Sequence, residues 1–316
     1  MAKDKVIAVI GATGAQGGGL ARAILGDPQR PFRVRALTRH AASEKARELA
    51  ALGGEVVEAN LDDPESLQRA FQGAHGAYCV TNFWEHFSPD KELAQAGNLA
   101  QAAKAAGVEH VIWSTLEDTR RWVPLTDDRM PTLMERYKVP HFDAKGEAEH
   151  LFSELGLPTT FLLTSFYWDN LIHFGLGPKR GHDGVLAIAF PMGNRKLPGI
   201  AAQDIGRCAY GVFRQGQEHI GKTVGIAGEH LSGPEMAVAL TEALGQEVRY
   251  HDVPPEVYRG LGFPGAEDLG NMFQFKRDFN DDFCRARDPE RARSLNPGLQ
   301  NFRQWLAENG TRIPID

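Results

Sequence analysis

Cysteine is scarce in this chain. Only three are present in 316 residues, Cys79, Cys208 and Cys284, odd in number and far apart. That spacing excludes a disulfide framework and a clustered zinc site, so no metal is expected, and it fits a reduced, cytoplasmic setting. None sits in a context that argues for a reactive thiol, and Cys79 falls in a predicted strand, where packing is its expected role. Positive charge is also short: 35 Lys and Arg stand against 41 Asp and Glu, a formal net charge of −6. No basic run exceeds the pair at Arg120-Arg121. Nucleic-acid binders normally carry a basic surplus or stripe, so direct nucleic-acid binding is not expected. No apolar run approaches the ~20 residues of a membrane span. The opening Met1-Ala2-Lys3-Asp4-Lys5 carries no apolar signal-peptide core. Internal repeats and low-complexity stretches are missing as well. What remains is an ordinary globular composition, 42% hydrophobic and 24% charged, in a chain long enough to bury a large core.

The most informative segment lies near the start. Val6-Ile7-Ala8-Val9-Ile10 is a short β-branched apolar run, which reads as a buried strand. Gly11-Ala12-Thr13-Gly14-Ala15-Gln16-Gly17 follows, and Gly18 to Leu25 reads as a helix with Leu20, Ala21, Ile24 and Leu25 on one face. Strand, glycine turn and helix form the context in which this spacing binds a dinucleotide. One glycine allows a tight turn, one lets backbone approach a pyrophosphate, and one lets helix and strand pack closely. The phosphates would lie on the free N–H groups of the helix N-terminus.

The first half then alternates strands and helices. Strands are predicted at Phe32–Thr38, Glu55–Ala59, Ala77–Thr81, Val108–Ser114 and Thr159–Thr164. Helices are predicted from Ser43 to Ala51, from the Asp63-Pro64-Glu65 cap onward, at Lys91–Ala106 and at His141–Leu155. This rhythm predicts an α/β chain: an NAD(P)-binding Rossmann-like, doubly wound parallel sheet with a smaller mixed C-terminal domain. We place the Rossmann part at 1–157, with the 159–164 strand and part of 199–215 joining it, and a smaller interleaved substrate- or partner-binding part at 165–316. Residues 117–140 carry Pro124, Pro131 and Pro140 among many charges and read as a long irregular loop or lid beside the site. Farther on, Ser232-Gly233-Pro234-Glu235 is a capping box, and helices are predicted at 203–213, 255–261, 266–275, 289–294 and 299–309.

The second strand ends Leu37-Thr38-Arg39-His40. An NAD-specific fold carries an acid at this tip for the ribose 2′-hydroxyl. Arg39 instead offers a guanidinium fork to a 2′-phosphate, which favours NADP(H) over NAD(H). Asn60 and Leu61, after the third strand, are placed to flank the adenine. Thr81-Asn82-Phe83-Trp84, after the fourth, are placed near the ribose and nicotinamide.

With these pieces assembled, the chain resembles the NmrA-like group of atypical short-chain dehydrogenase/reductases. The resemblance rests on Gly11 to Gly18, Thr38-Arg39, Val80 to Glu85, His141 to Glu147, Tyr167-Trp168-Asp169-Asn170, Gly262 to Ala266 and Asn271-Met272-Phe273, in order along the chain. It implies NADP(H) across the carboxyl ends of the strands, held by Gly11 to Gln16, Arg39, Thr81 to Phe83, Lys145 and Tyr167 to Asn170. It also implies a regulatory protein partner or a small aromatic or quinone substrate, since the group contains both regulators and reductases; a homodimer stays open. Dehydrogenases of this superfamily use a tyrosine four residues before a lysine, with a serine or threonine positioning the substrate oxygen. Here Lys145 is present and Ser114 ends the fifth strand, but His141 stands at the tyrosine position. Tyr137 is a weaker substitute acid. The expectation from sequence is therefore an NADP(H)-binding redox sensor or regulator with weak or no dehydrogenase activity. The alternative is an NADPH-dependent reductase of a quinone or small carbonyl, in a cleft lined by Phe83, Trp84, Phe166 and Trp168. In the sensor reading, cofactor binding would order the loops at 39–45, 81–88 and 117–140.

Overall fold

The computed structural model describes residues 5–315. Strands β1 (Val6–Ile10), β2 (Arg33–Thr38), β3 (Glu55–Glu58), β4 (Gly76–Cys79), β5 (His110–Thr115) and β6 (Thr159–Leu163) lie in one parallel sheet. A seventh strand, Thr223–Gly225, completes it beside β6. The spatial order is Thr223–Gly225, β6, β5, β4, β1, β2, β3. The order in which successive strands are added therefore reverses between β1 and β4, which run parallel, and the crevice at their carboxyl ends is the ligand site of such a fold.

Alternation along β1 shows why an unbroken apolar run is needed. Ile7 and Val9 face a core formed with Leu20 and Ile24 of α1 (Ala15–Gly26) and with the helix Ala202–Gln215. Ala8 and Ile10 face the opposite core, formed with Leu67 and Phe71 of α3 (Pro64–Phe71) and Leu99 of α4 (Pro89–Ala105). Both faces are covered, so no position on the strand can be polar. Helix α2 is Glu44–Ala51. Asp63 caps α3 as expected, accepting from the N–H groups of Glu65 and Ser66. The capping box at Ser232 and Glu235 is present too.

The helix Ala202–Gln215 packs backbone to backbone on α1. A Cβ on Gly19 would lie 2.3 Å from the Gln203 carbonyl, and one on Gly206 would lie 2.1 Å from the Leu20 nitrogen. Thus a segment from the second half builds one face of the first. The remaining C-terminal residues form two three-stranded sheets, one from Phe166–Tyr167, Leu197–Ile200 and Glu229–Leu231, the other from Lys179–Arg180, Leu186–Phe190 and Val248–Asp252. They share a separate apolar core with the helix Ala266–Asp278.

Two predicted segments differ from what is observed. The helix expected over His141–Leu155 is two, α5 (Pro140–Glu147) and Glu149–Glu154, which meet at Ala148. Residues 117–140 are irregular, as expected, yet tied down rather than lid-like. The Asp143 carboxylate accepts from the N–H groups of Thr119, Lys138 and Val139. Asn271 donates to the carbonyls of Pro131 and Lys138, and Gln274 to that of Arg129. These bonds come from side chains outside the segment, on α5 and on the helix Ala266–Asp278. Among the described residues, no helix is long and apolar enough to cross a membrane.

Candidate functional site

A cleft of about 760 Å³ opens at the carboxyl ends of the sheet, between it and the C-terminal part. Gly11, at the end of β1, turns the chain with φ +64°, a left-handed conformation that glycine takes without strain. The Gly14 N–H then donates to the Gly11 carbonyl at 2.8 Å, and α1 begins. A Cβ on Gly17 would stand 2.5 Å from the Gly11 oxygen and 2.6 Å from the Ile10 oxygen, so this glycine lets helix and strand meet.

The N-cap of α1 is Gly14, with no side-chain acceptor and no acidic residue in the first turn. Other helices begin differently: Ser43, Asp63 and Ser88 each cap with a side chain, and each of those helices has an acid in its first turn. An uncapped, acid-free helix start at the floor of a cleft, with glycines where backbone must come close, fits a pyrophosphate.

Arg39 lies at the mouth. Its guanidinium is held in a two-pronged pair by Glu85, at 2.8 and 2.9 Å, and Asn82 donates to the same carboxylate. The pair bridges the loops after β2 and β4 across the adenine end of the cleft. Asn60 and Leu61 line the wall between, and Asn60 uses its side-chain oxygen to accept from the Asp62 N–H.

Deeper in, Lys145 of α5 donates to the Thr81 carbonyl at 3.1 Å, to the Thr81 hydroxyl at 2.7 Å and to Glu92 at 2.5 Å. Glu92 is fully buried in α4. Burial opposes its charge, but Lys145, His86 and the Thr81 hydroxyl outweigh that cost and hold the carboxyl down at about 2. The lysine amine is thus anchored by the buried carboxylate and lines the cleft wall. His141, one helical turn earlier, donates its backbone N–H to Asp268, and its Nδ1 pairs with the same carboxylate at 2.6 Å. The imidazole also lies against Trp84, 4.7 Å between ring centres. Its second ring nitrogen makes no hydrogen bond to the described residues, while the ring lines the cleft. An acid that orients one imidazole nitrogen and leaves the other toward a ligand is the arrangement of a proton-transfer histidine.

Ser114 lines the same wall, with its hydroxyl donated to Gln16 at 2.8 Å. The Gln16 amide is a hub: Tyr78 also donates to its oxygen, and its nitrogen donates to the Tyr167 hydroxyl. Ser114 therefore helps to hold the Gln16 amide in place while lining the cleft.

Of the residues read from sequence, Gly11, Thr13, Gly14, Ala15, Gln16, Gly17, Thr38, Arg39, Asn60, Leu61, Thr81, Asn82, Phe83, Ser114, His141, Lys145, Tyr167 and Asn170 all line this one cleft. Three expectations are corrected. Ala12 is fully buried beneath the turn, its N–H bonded to the Leu37 carbonyl, and forms no part of the wall. Trp168, just past the strand Phe166–Tyr167, points away into the C-terminal core, 5.3 Å from the Phe302 ring, while Phe166 and Tyr167 line the cleft. Tyr137 is buried under Arg136, which donates to its hydroxyl, and does not reach the cleft. Glu92, Asp268 and Lys276 are site residues that the sequence reading missed. Each sits in an ordinary helix, and only its pairing or burial marks it.

A doubly wound sheet, a glycine turn, an uncapped helix start and a deep cleft at the strand reversal define a Rossmann-like protein of the dinucleotide-binding class. The NmrA-like family model matches residues 3–306, and the chain belongs to that family. Among its relatives, the NAD(P)H azoreductase of Xenophilus azovorans is 30% identical over 264 residues, covering 82% of each chain. The NmrA-like family domain-containing oxidoreductase FrzB of Cladobotryum sp is 29% identical, over 85% of this chain and 83% of that one. Among solved structures, NmrA, a negative transcriptional regulator, is similar with a TM-score of 0.78, 26% identity, and coverage of 97% of this chain and 95% of that one. Structures of NmrA in complex with NADP and with NAD are similar as well, with TM-scores of 0.74 and 0.76.

Proposed function

We propose that this protein is an NADPH-dependent reductase of a flat aromatic oxidant of the quinone type. The observation that carries the reading is His141, paired with Asp268 and lining the same cleft as the anchored Lys145 amine. A histidine that merely began a helix would not need a buried carboxylate from the C-terminal part to hold its ring. The name of one relative, NAD(P)H azoreductase, supports the reading.

In this reading Gly11 to Gly17 and the N-terminus of α1 hold the pyrophosphate, and Asn60 and Leu61 flank the adenine. Arg39 takes the 2′-phosphate, exchanging Glu85 for it. Thr81, Asn82 and Phe83 follow the nicotinamide side, Lys145 holds its ribose, and Tyr167 and Asn170 border the ring. Bound NADPH supplies the hydride. His141, steadied by Asp268, moves the proton at its free ring nitrogen to the substrate oxygen. Phe83, Trp84 and Phe166 exclude water around the reacting face.

Calorimetry with NADPH and NADH, followed by absorbance of bound NADPH with a quinone panel, tests this. Quinone-dependent oxidation, lost in Lys145→Ala, is expected; no oxidation across the panel overturns the reading. Arg39→Glu is expected to lower NADPH affinity by tenfold or more, about 1.4 kcal/mol, and to favour NADH. Full NADPH affinity in that variant overturns the cofactor assignment.

A second reading, a redox-sensing regulator, draws on one observation: the Arg39-Glu85 pair straps two cleft loops together, and a 2′-phosphate on Arg39 would release Glu85. Apo and NADPH-loaded protein would then differ in proteolysis at the 81–88 loop. Identical digestion patterns remove it.

A further inference from the structure

Among the described residues two lysines, Lys138 and Lys276, are almost completely buried, and they are treated differently. Lys138 donates to the carbonyls of Asp127 and Met130, both at 2.8 Å. Such an amine is satisfied and structural. Lys276, 3% exposed, has no oxygen partner among the described residues; its amine lies 3.3 Å from the Met272 sulfur, a weak acceptor. Around it stand the rings of Phe142, Phe273 and Phe283, at 5.3, 5.6 and 5.4 Å. Lys276 also lines the cleft, on the same helix face as Leu269 and Met272.

The charges nearby do not answer it. Glu117 is taken by Arg287, which holds both carboxylate oxygens and reaches over the Phe283 ring at 3.6 Å. On the neighbouring α5, His141 is committed to Asp268. A lysine walled in by apolar groups with no counter-ion is costly to keep charged: burial first, then Arg287, bring its midpoint down to about 7, with Glu117 opposing. A methionine would fill the same space without that cost. A costly group that faces a ligand cleft points to a ligand that relieves it.

We propose that Lys276 seats an oxyanion carried on a flat aromatic ligand, of the phenolate or hydroxyquinone-enolate kind, in the apolar inner end of the cleft among Leu116, Phe142, Phe166, Leu269 and Met272. The identity of that ligand as substrate rests on the reductase reading; its capture by Lys276 does not. Binding draws a proton onto the amine, because the anion favours the ammonium form.

The test uses the full chain, with and without NADP, and two probes: 2-hydroxy-1,4-naphthoquinone, anionic at neutral pH, and the uncharged 1,4-naphthoquinone. Calorimetry near pH 8 in buffers of different ionisation enthalpy reads affinity and proton uptake together. The wild type is expected to prefer the anion by about tenfold or more, with uptake approaching one proton. Lys276→Met is expected to lose that preference and the uptake, leave the neutral probe unaffected, and melt at a higher temperature. Lys276→Gln, which keeps a donor but no charge, is expected to lose the uptake as well.

The melting gain has a sign set by linkage. Between about 7 and 10.5 the unfolded lysine holds a proton that the folded one has shed, so wild-type stability rises with pH across that window. The gain from Lys276→Met is therefore larger near pH 6 than near pH 9. Equal affinity of the wild type for both probes, or anion binding by Lys276→Met as tight as wild type, overturns the proposal. Discrimination by Lys276 with no NADPH oxidation by any quinone overturns the reductase reading alone; oxidation with no discrimination overturns this proposal alone.

Discussion

Replacing Gly17 by alanine is expected to weaken NADPH binding by about a hundredfold or more, roughly 2.7 kcal/mol, and to lower the melting temperature. The opposing effects decide this. Alanine in a helix is better than glycine by about 1 kcal/mol, so on propensity alone the substitution stabilises. The new Cβ, however, would lie 2.5, 2.6 and 2.7 Å from the Gly11 oxygen, the Ile10 oxygen and the Gly11 carbonyl carbon. All three are backbone and cannot rotate away. Strain from overpacking runs at about 1–3 kcal/mol, so the clash wins. It is relieved only by moving the β1–α1 turn, the surface on which a pyrophosphate would rest. Gly14→Ala is the control. Its Cβ would sit 3.2 Å from the Gly11 oxygen, tight but bearable, and a smaller loss is expected. Fluorescence titration with NADPH beside thermal melts checks both; wild-type affinity in Gly17→Ala overturns the placement of the cofactor on this turn.

Gly17 also shows what could be read in the residues. Elements whose signals are local were legible: the β1 run, the glycine turn, the Asp63 cap and the Ser232 capping box each depend on a few neighbours in sequence. The order of the cleft-lining segments followed, because parallel strands bring all their carboxyl ends to one edge. Interactions that cross the chain were not. Asp268 and His141 are 127 positions apart, and an aspartate in the first turn of a helix looks like an ordinary charge at its start. Glu92 has the same disguise in the first turn of α4, yet its side chain is fully buried.

The misplacements have similar causes. Tyr167-Trp168 reads as one aromatic cluster, but the strand ends at Tyr167, and sequence alone does not say which of these side chains meets the cleft and which the C-terminal core. The Thr223–Gly225 strand is three residues long, too short for any alternation to register. Its place is set by pairing with β6, a property of the assembled sheet. The loop at 117–140 looked free because prolines and charges dominate it. Its anchors, Asp143, Asn271 and Gln274, lie outside it.

The second large effect is expected at Glu117. Arg287 is completely buried and depends on this carboxylate, with two further bonds to the carbonyls of Thr164 at 2.8 Å and Phe283 at 3.4 Å. Glu117→Ala leaves the guanidinium without its counter-ion in an apolar setting. Breaking a buried pair on one side costs about 3–5 kcal/mol, far more than the pair itself contributes. At about 2–4 °C per kcal/mol for a chain of this size class, the melting temperature should fall by roughly 10 °C. Glu117→Gln, which still accepts hydrogen bonds, should lose less. The consequence reaches the cleft along two routes. Arg287 holds the Thr164 carbonyl, so the wall after β6 loosens. Its unbalanced charge also acts on Lys276, for which Glu117 was the opposing influence. The amine should then shed its proton at lower pH than in the wild type, and proton uptake on binding the naphthoquinone anion should begin at lower pH too. A melt unchanged by Glu117→Ala would mean that Arg287 finds another partner or water. A lower melt with an unshifted uptake profile would mean that Lys276 does not feel the pair.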